Sequence, residues 1–531
     1  MSARTRVAAV AVVTMASGLA ALGTGAATAG PRPCAASWPM FQHDAGRSGA
    51  SCGASSVDKA NVSELAPRWF TPTSAPVTAE PVVVGQTLWV GDGGGTFHAL
   101  DTATGASRWT FTVTDQHQTS YGVITSSAAW RPARAGGGAT VYFGGGGSVY
   151  ALDAATGRKV WAADLDPAQP TSGVEVESSP LLIEGADHRA EVVVGTDSNE
   201  TPGTDRTGVI ALDADTGALL WKYELETGQV VHSLRPSSPS DRGAGCGDVW
   251  SSVASDAQDG TVVFGSGNCN TPLPGMPVKS EAIWSLDATT GALRWVFPQG
   301  ATSADKTYGY DDDFGSSAIV VDRPHRSPEI IEASKAGFAF ALDGSSGQEL
   351  WDTQAAQPGQ SGSTLAGAIG GFIGGAAVGR AGDRPAFFAA AAIPLPFAGD
   401  GISSSGAAPD PSLAGHPGRA VSLHAIDVTT GKLLWDAPGS MPTYAPVTYS
   451  GGVVFAPSTT SFSAQAYDAA TGVLRWAAPA GASLSSGTAV VGPDIYFGAG
   501  TALGSSPVPS VTVPPQANGV WSFGIPALPL P

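Results

Sequence analysis

The stretch VYALDAATGRKVW (149–161) decides the fold, because it does not stand alone. Its order is an alternating apolar strand, Asp, three residues, Gly, three residues, Trp. The same order returns as FHALDTATGASRW (97–109), VIALDADTGALLW (209–221), IWSLDATTGALRW (283–295), FAFALDGSSGQELW (338–351), LHAIDVTTGKLLW (423–435) and AQAYDAATGVLRW (464–476). Self-similarity at this constancy marks a repeat architecture. The alternation before each Asp describes a half-buried strand, and the segment ending in Trp describes its hairpin partner. Between them the Asp and Thr oxygens are expected to bond the turn backbone, and Gly supplies the positive φ the turn requires. The Trp, large and flat, is expected to pack between neighbouring units.

Upstream of the copies lie two further strands, as in PVVVGQTLWVGD (81–92) and AVVGPDIYFGAG (489–500). Four strands per unit predict the blades of an all-β propeller. Two fragments stand outside the seven copies. GVWSFG (519–524) looks like a third strand with no Trp strand after it, and ELAPRWFTPT (64–73) carries a lone Trp69 with no third strand before it. They complete each other, so the expectation is an eight-bladed β-propeller closed by strands from both ends, with seven blades as the alternative. The 392–418 stretch, AIPLPFAGDGISSSGAAPDPSLAGHPG, reads as a surface loop.

The first residues combine Arg4 and Arg6, an apolar middle and Ala27-Thr28-Ala29, which predicts a secretory signal peptide over 1–29 and one propeller domain over 30–531. No later stretch has the length and apolarity of a membrane span; 364–378 comes nearest but is short and glycine-rich. Lys and Arg number 27 against 45 Asp and Glu, with no basic run, so nucleic acid and anionic membranes are poor candidates as partners. Cys34, Cys52, Cys246 and Cys269 fit two disulfides in an oxidising compartment. Of three possible connectivities the local one, 34–52 and 246–269, is expected. The eight His show no zinc spacing, and no G-x-S-x-G elbow suggests a serine hydrolase.

The seven LDxxTGxxxW copies resemble the repeats of the pyrroloquinoline quinone (PQQ) propeller superfamily. The opening WPMFQHDAGRSGA…NVSELAPRWF is similar to the start of quinoprotein alcohol dehydrogenases, closest to their polyvinyl-alcohol dehydrogenase branch. The resemblance implies a site. In VWSSVASDAQDGTVVFGSGN (249–268), Trp250 matches the residue that lies flat under the quinone, and Asn268 a calcium ligand. Glu200 matches a second calcium ligand, Asp313 in GYDDDFGSS the catalytic base and a further ligand, and Lys335 in IIEASKAGFAFALD the basic residue beside the quinone oxygens. These types suit the chemistry. An indole face stacks on a planar ring, calcium takes carboxylate and amide oxygens, a carboxylate accepts the alcohol proton, and an ammonium stabilises charge on the reduced quinone.

Each residue also has a structural reading: strand packing for Trp250, a turn cap for Asn268, solvated acids for Glu200 and Asp313, a rim lysine for Lys335. The chain departs from the family as well. The region YGVITSSAAW (121–130) lacks the adjacent cysteines found over the ring. Glu80 is offset from the expected early acid, where Thr78 fits better. Phe372 and Ile373 stand where a Trp is common, and no C-x-x-C-H provides a haem. Two functions follow. One is a PQQ- and calcium-dependent dehydrogenase of a small or polymeric alcohol, passing electrons to a separate acceptor. The other is a non-catalytic propeller that binds or scaffolds.

Overall fold

The computed structural model describes residues 36–51, 57–134, 136–169, 171–185, 189–199, 201–234, 242–267, 281–298, 310–311, 313–356, 359–360, 371–395, 421–438, 440, 443–459, 461–501 and 517–526. The unit Ala35–Pro531 is compact. The expected signal peptide, Cys34, Cys52, Cys269 and most of the expected surface loop lie outside the described residues; positions 392–395 of that loop extend the strand Arg384–Leu395 instead.

Eight antiparallel sheets form an eight-bladed propeller. The second blade shows the pattern, with Ala129–Arg131, Thr140–Gly145, Ser148–Asp153 and Lys159–Asp164 running from first strand to fourth. First strands of successive blades adjoin one another around the axis. The eighth blade joins Ala489–Val491, Asp494–Ala499 and Gly519–Gly524 to Ala66–Pro72, with Phe70 opposite Trp521. Both chain fragments thus meet as the sequence predicts, and the ring has no free edge at its seam.

The repeat owes its constancy to a contact between blades. Six of the seven repeat Trp residues donate the indole N–H to the carbonyl just after the repeat Asp of the next blade. Trp109 reaches Ala154 O at 3.3 Å, Trp161 reaches Ala214 O at 3.0 Å and Trp295 reaches Gly344 O at 2.7 Å. Trp69 of the shared blade bonds Thr102 O at 2.9 Å, and Trp476 closes the circuit on Leu65 O at 3.1 Å. The turn glycine lies against the same ring. Gly217 has φ +73, and a Cβ there would stand 2.7 Å from Trp161 Cε3. Within the turn, Asp213 Oδ1 accepts Thr216 N–H at 2.8 Å and Thr216 Oγ–H at 2.7 Å. Asp shapes the turn, Gly makes room and Trp fills it, so none of the three tolerates a shift in spacing.

The segment after Trp38 crosses one end of the channel. Carbonyls of Pro39, Ala45, Gly46, Ser48 and Gly49 accept N–H groups from Trp130, Ser255, Val320, Val378 and Tyr449, on the first strands of five different blades. The buried Arg47 guanidinium donates to Phe41 O, Val253 O and Ser179 O at 2.9, 2.9 and 3.0 Å, satisfying a charge that burial would otherwise penalise. Glu80, offset from the expected acid, holds this segment: it accepts Trp38 Nε1–H and, at 2.9 Å, Gln42 N–H.

Candidate functional site

The site is built from equivalent positions on blades three, four and five. In each, a loop residue before the first strand pairs with the residue just after the second strand. Asp197 N–H donates to Glu175 O at 3.0 Å, Gly267 N–H to Asp248 O at 2.7 Å and Lys335 N–H to Asp313 O at 2.8 Å. Two residues after each loop acid come Glu177, Trp250 and Gly315, and then a pair of serines. These serines link the blades beneath the site. Ser127 N–H donates to Ser179 Oγ, Ser179 N–H to Ser252 Oγ and Ser252 N–H to Ser317 Oγ, at 3.0, 2.9 and 2.9 Å. Because the blades repeat, the side chains at these positions converge on the axis.

Trp250 is half-buried, so one part of its indole remains open. It lies over backbone that carries no side chain. A Cβ at Gly315 would overlap Trp250 Cη2, and one at Gly267 would stand 2.9 Å from Trp250 Nε1. Lys335 Nζ stands 5.2 Å from the Trp250 ring centroid and 2.7 Å from Asp313 Oδ2. Asp313 is 3% exposed, and its Oδ1 has no hydrogen-bond partner among the described residues. The structure therefore brings Trp250, Asp313 and Lys335 together. Glu200 and Asn268 lie outside the described residues, next to Asn199 and Gly267.

Sequence reading missed the acids of blade three. Oxygens of Glu175, Glu177 and Asp197 lie within 4.8 Å of one another, close enough to share a metal ion. Burial pushes Glu175 up to about 7. Burial first, then repulsion from Glu175 and Asp248, raises Glu177 well above the usual carboxylate range, while Lys335 pulls the other way. Asp197 is raised by burial and by Asp248 and Glu177. The signal was present as a Ser-Ser pair recurring after Thr125, Glu177, Trp250 and Gly315, which sets Glu177 level with Trp250. Phe372, found where a family Trp was sought, is fully buried against the His424 ring and adds no surface to the site.

A planar, polyoxygenated cofactor fits this arrangement in three respects. The indole floor is partly open, glycine backbone cradles it, and an orphaned carboxylate oxygen with an adjacent ammonium borders it.

The comparisons with known proteins agree. A family profile described as the glucose/ethanol/alcohol dehydrogenase β-propeller domain of the PQQ type matches residues 38–364, and one described as outer membrane protein assembly factor BamB matches 399–506. The quinohemoprotein alcohol dehydrogenase of Comamonas testosteroni is 28% identical over 326 residues, covering 55% of this chain and 43% of that protein. The polyvinylalcohol dehydrogenase of Sphingopyxis sp. (strain 113P3) is 24% identical over 405 residues, covering 72% and 56%. The chain thus spans about half the length of these curated relatives. The crystal structure of the Comamonas testosteroni enzyme superposes with a TM-score of 0.68 at 23% identity, covering 93% of this chain and 81% of that one, a likeness of fold. With the first profile spanning more than half its length, the chain belongs to the PQQ-type alcohol dehydrogenase β-propeller family.

Proposed function

We propose that this protein is a secreted alcohol dehydrogenase that uses PQQ with calcium and passes electrons to a separate acceptor. The observation that carries the reading is the position of Lys335, over the Trp250 ring and paired with a buried Asp313. PQQ, when bound, supplies a two-electron oxidant for the hydride of an alcohol. Trp250 would hold its face. Lys335 would stabilise negative charge on its oxygens. Lys335 already occupies Asp313 Oδ2, which leaves Oδ1 to accept the substrate hydroxyl proton. Glu200, Asn268 and Asp313 would ligate calcium. The acids of blade three oppose an anionic cofactor unless a cation or protons neutralise them, which supports the calcium requirement. The relatives' names favour an alcohol substrate, with a polymeric alcohol the reading for this branch.

Calorimetric titration of the purified protein with PQQ, with and without calcium, tests the reading. Calcium-dependent binding, lost in Trp250→Ala and followed by alcohol-dependent reduction of an artificial acceptor, supports it. No binding at saturating calcium overturns it in favour of a binding or scaffold role. Secretion predicts protein in the medium beginning at Gly30. Cys246 is disulfide-bonded; non-reducing peptide mapping tests its proposed pairing with Cys269 and that of Cys34 with Cys52.

A further inference from the structure

Between the outer strand of the first blade, Ser107–Thr112, and the first strand of the second, Ala129–Arg131, the chain passes over the acids of the site. Ser120 N–H donates to Glu175 Oε2 at 3.0 Å, Ser120 Oγ accepts Asn199 Nδ2–H at 2.5 Å, and Gln118 N–H donates to Ser172 O at 2.9 Å. Tyr121, next in the chain, feels the charges of Glu177 and Lys335. Residues 115–121 thus form a strap tied to the third blade.

The strap is pinned by His117, whose side chain is 1% exposed. Its Nδ1 lies 2.8 Å from Asp115 Oδ1 and its Nε2 3.5 Å from Asp164 Oδ1. Asp115 also accepts His117 N–H at 2.8 Å, Gly147 N–H at 3.3 Å and Ser148 Oγ–H. The ring lies flush on the second blade: a Cβ at Gly147 would stand 2.6 Å from His117 Cγ. The charged and titratable groups around it are Asp115, Asp164, Asp166 and, beside Asp115, the Tyr150 hydroxyl. No lysine or arginine is among them.

We propose that His117 is a positioning residue that keeps the strap closed over the site while its ring is protonated and lets the strap open when that proton leaves. A neutral ring keeps one N–H. If Nδ1 retains it for Asp115, the Nε2 lone pair faces the Asp164 carboxylate, and an attraction becomes a repulsion. Burial lowers the imidazole pKa, but Asp115, Asp164 and Asp166 more than offset this, so it stands above its ordinary value. The sign follows. Closure is fully present below the ordinary histidine range and is lost as pH rises through the raised value. The inference depends on the strap and not on which cofactor the site takes.

Hydrogen exchange of the full protein, corrected for intrinsic rates, tests it between about pH 6 and pH 9, a span that brackets histidine titration. Peptides covering 115–121 are expected to lose protection by roughly tenfold or more as pH rises, while seventh-blade peptides stay constant. His117→Gln should exchange fast throughout. Asp164→Asn, at a half-exposed carboxylate, keeps the acceptor for Asp166 N–H and should move the midpoint to lower pH. A flat wild-type profile, or a midpoint unmoved by Asp164→Asn, overturns the proposal.

Discussion

Lys335 Nζ stands 2.7 Å from Asp313 Oδ2, and both side chains are nearly closed to solvent. At the equivalent pair on blade three, Asp197 meets Glu175, so one side of the Trp250 floor is compensated and the other is acidic. Breaking a buried pair from one side is costly because the partner is left charged and unpaired. Lys335→Met is expected to destabilise the fold by about 3–5 kcal/mol. Lys335→Met with Asp313→Asn should cost less than the two single changes together. Urea denaturation of the three variants checks this; additive losses would show that the two residues do not act as a pair.

Gly315→Ala places a methyl group where the Trp250 ring lies. The indole must tilt, and a stacked ligand would lose its floor. Affinity for PQQ is expected to fall at least about tenfold, or about 1.4 kcal/mol, while the far-ultraviolet β signature is retained. Unchanged affinity would separate the ligand site from Trp250.

The ring of indole donors can be weighed one blade at a time. Trp221→Phe removes the bond to Ala288 O and should cost on the order of 1 kcal/mol beyond the packing change. Gly291→Ala meets both a φ of +71 and the Trp221 ring, 2.6 Å from Cε3, and is expected to cost more, about 2–4 kcal/mol. Thermal unfolding should therefore rank Gly291→Ala below Trp221→Phe.

Glu332 is fully buried between blades four and five, near the backbone of Gly265. Neither of its oxygens has a hydrogen-bond partner among the described residues. Burial alone raises its pKa well above the ordinary range, so the folded protein holds a proton that the unfolded chain releases. The wild type should lose stability as pH rises from the free-glutamate range toward that raised value. Glu332→Gln should remove this component of the slope, visible as unfolding midpoints that converge at low pH and diverge as pH rises.

Much of this was readable in the chain. Asp, Gly and Trp at one spacing reported the blades, because the turn, the gap and the indole are mutually dependent. The shared blade was reported differently, by GVWSFG with no Trp strand after it and Trp69 with no third strand before it, two fragments that complete each other. Trp250, Asp313 and Lys335 were readable because each sits in a distinctive local context. The acids of blade three were missed, because only the Ser-Ser pair that follows Glu177 as it follows Trp250 sets them level with the indole, and that pair lies outside the Asp–Gly–Trp repeat. Glu80 was read as offset from the expected acid, but its role was not legible: its partners, Trp38 and Gln42, come from the segment across the channel end, which no local pattern reveals.

The shared eighth blade has a consequence for assembly. Trp476 and its acceptor Leu65 lie 411 positions apart, so the early strand Ala66–Pro72 must wait for most of the chain before its partner Gly519–Gly524 exists. At roughly 5–20 residues per second this interval lasts tens of seconds. Throughout it, a strand with exposed aromatic groups presents an unpaired edge. A neighbouring copy whose synthesis is complete offers the same partner strand, and two rings can then trade strands into a swapped dimer that keeps the native pairing. Crowded synthesis would favour that exchange, and dilution before the seam shuts would suppress it.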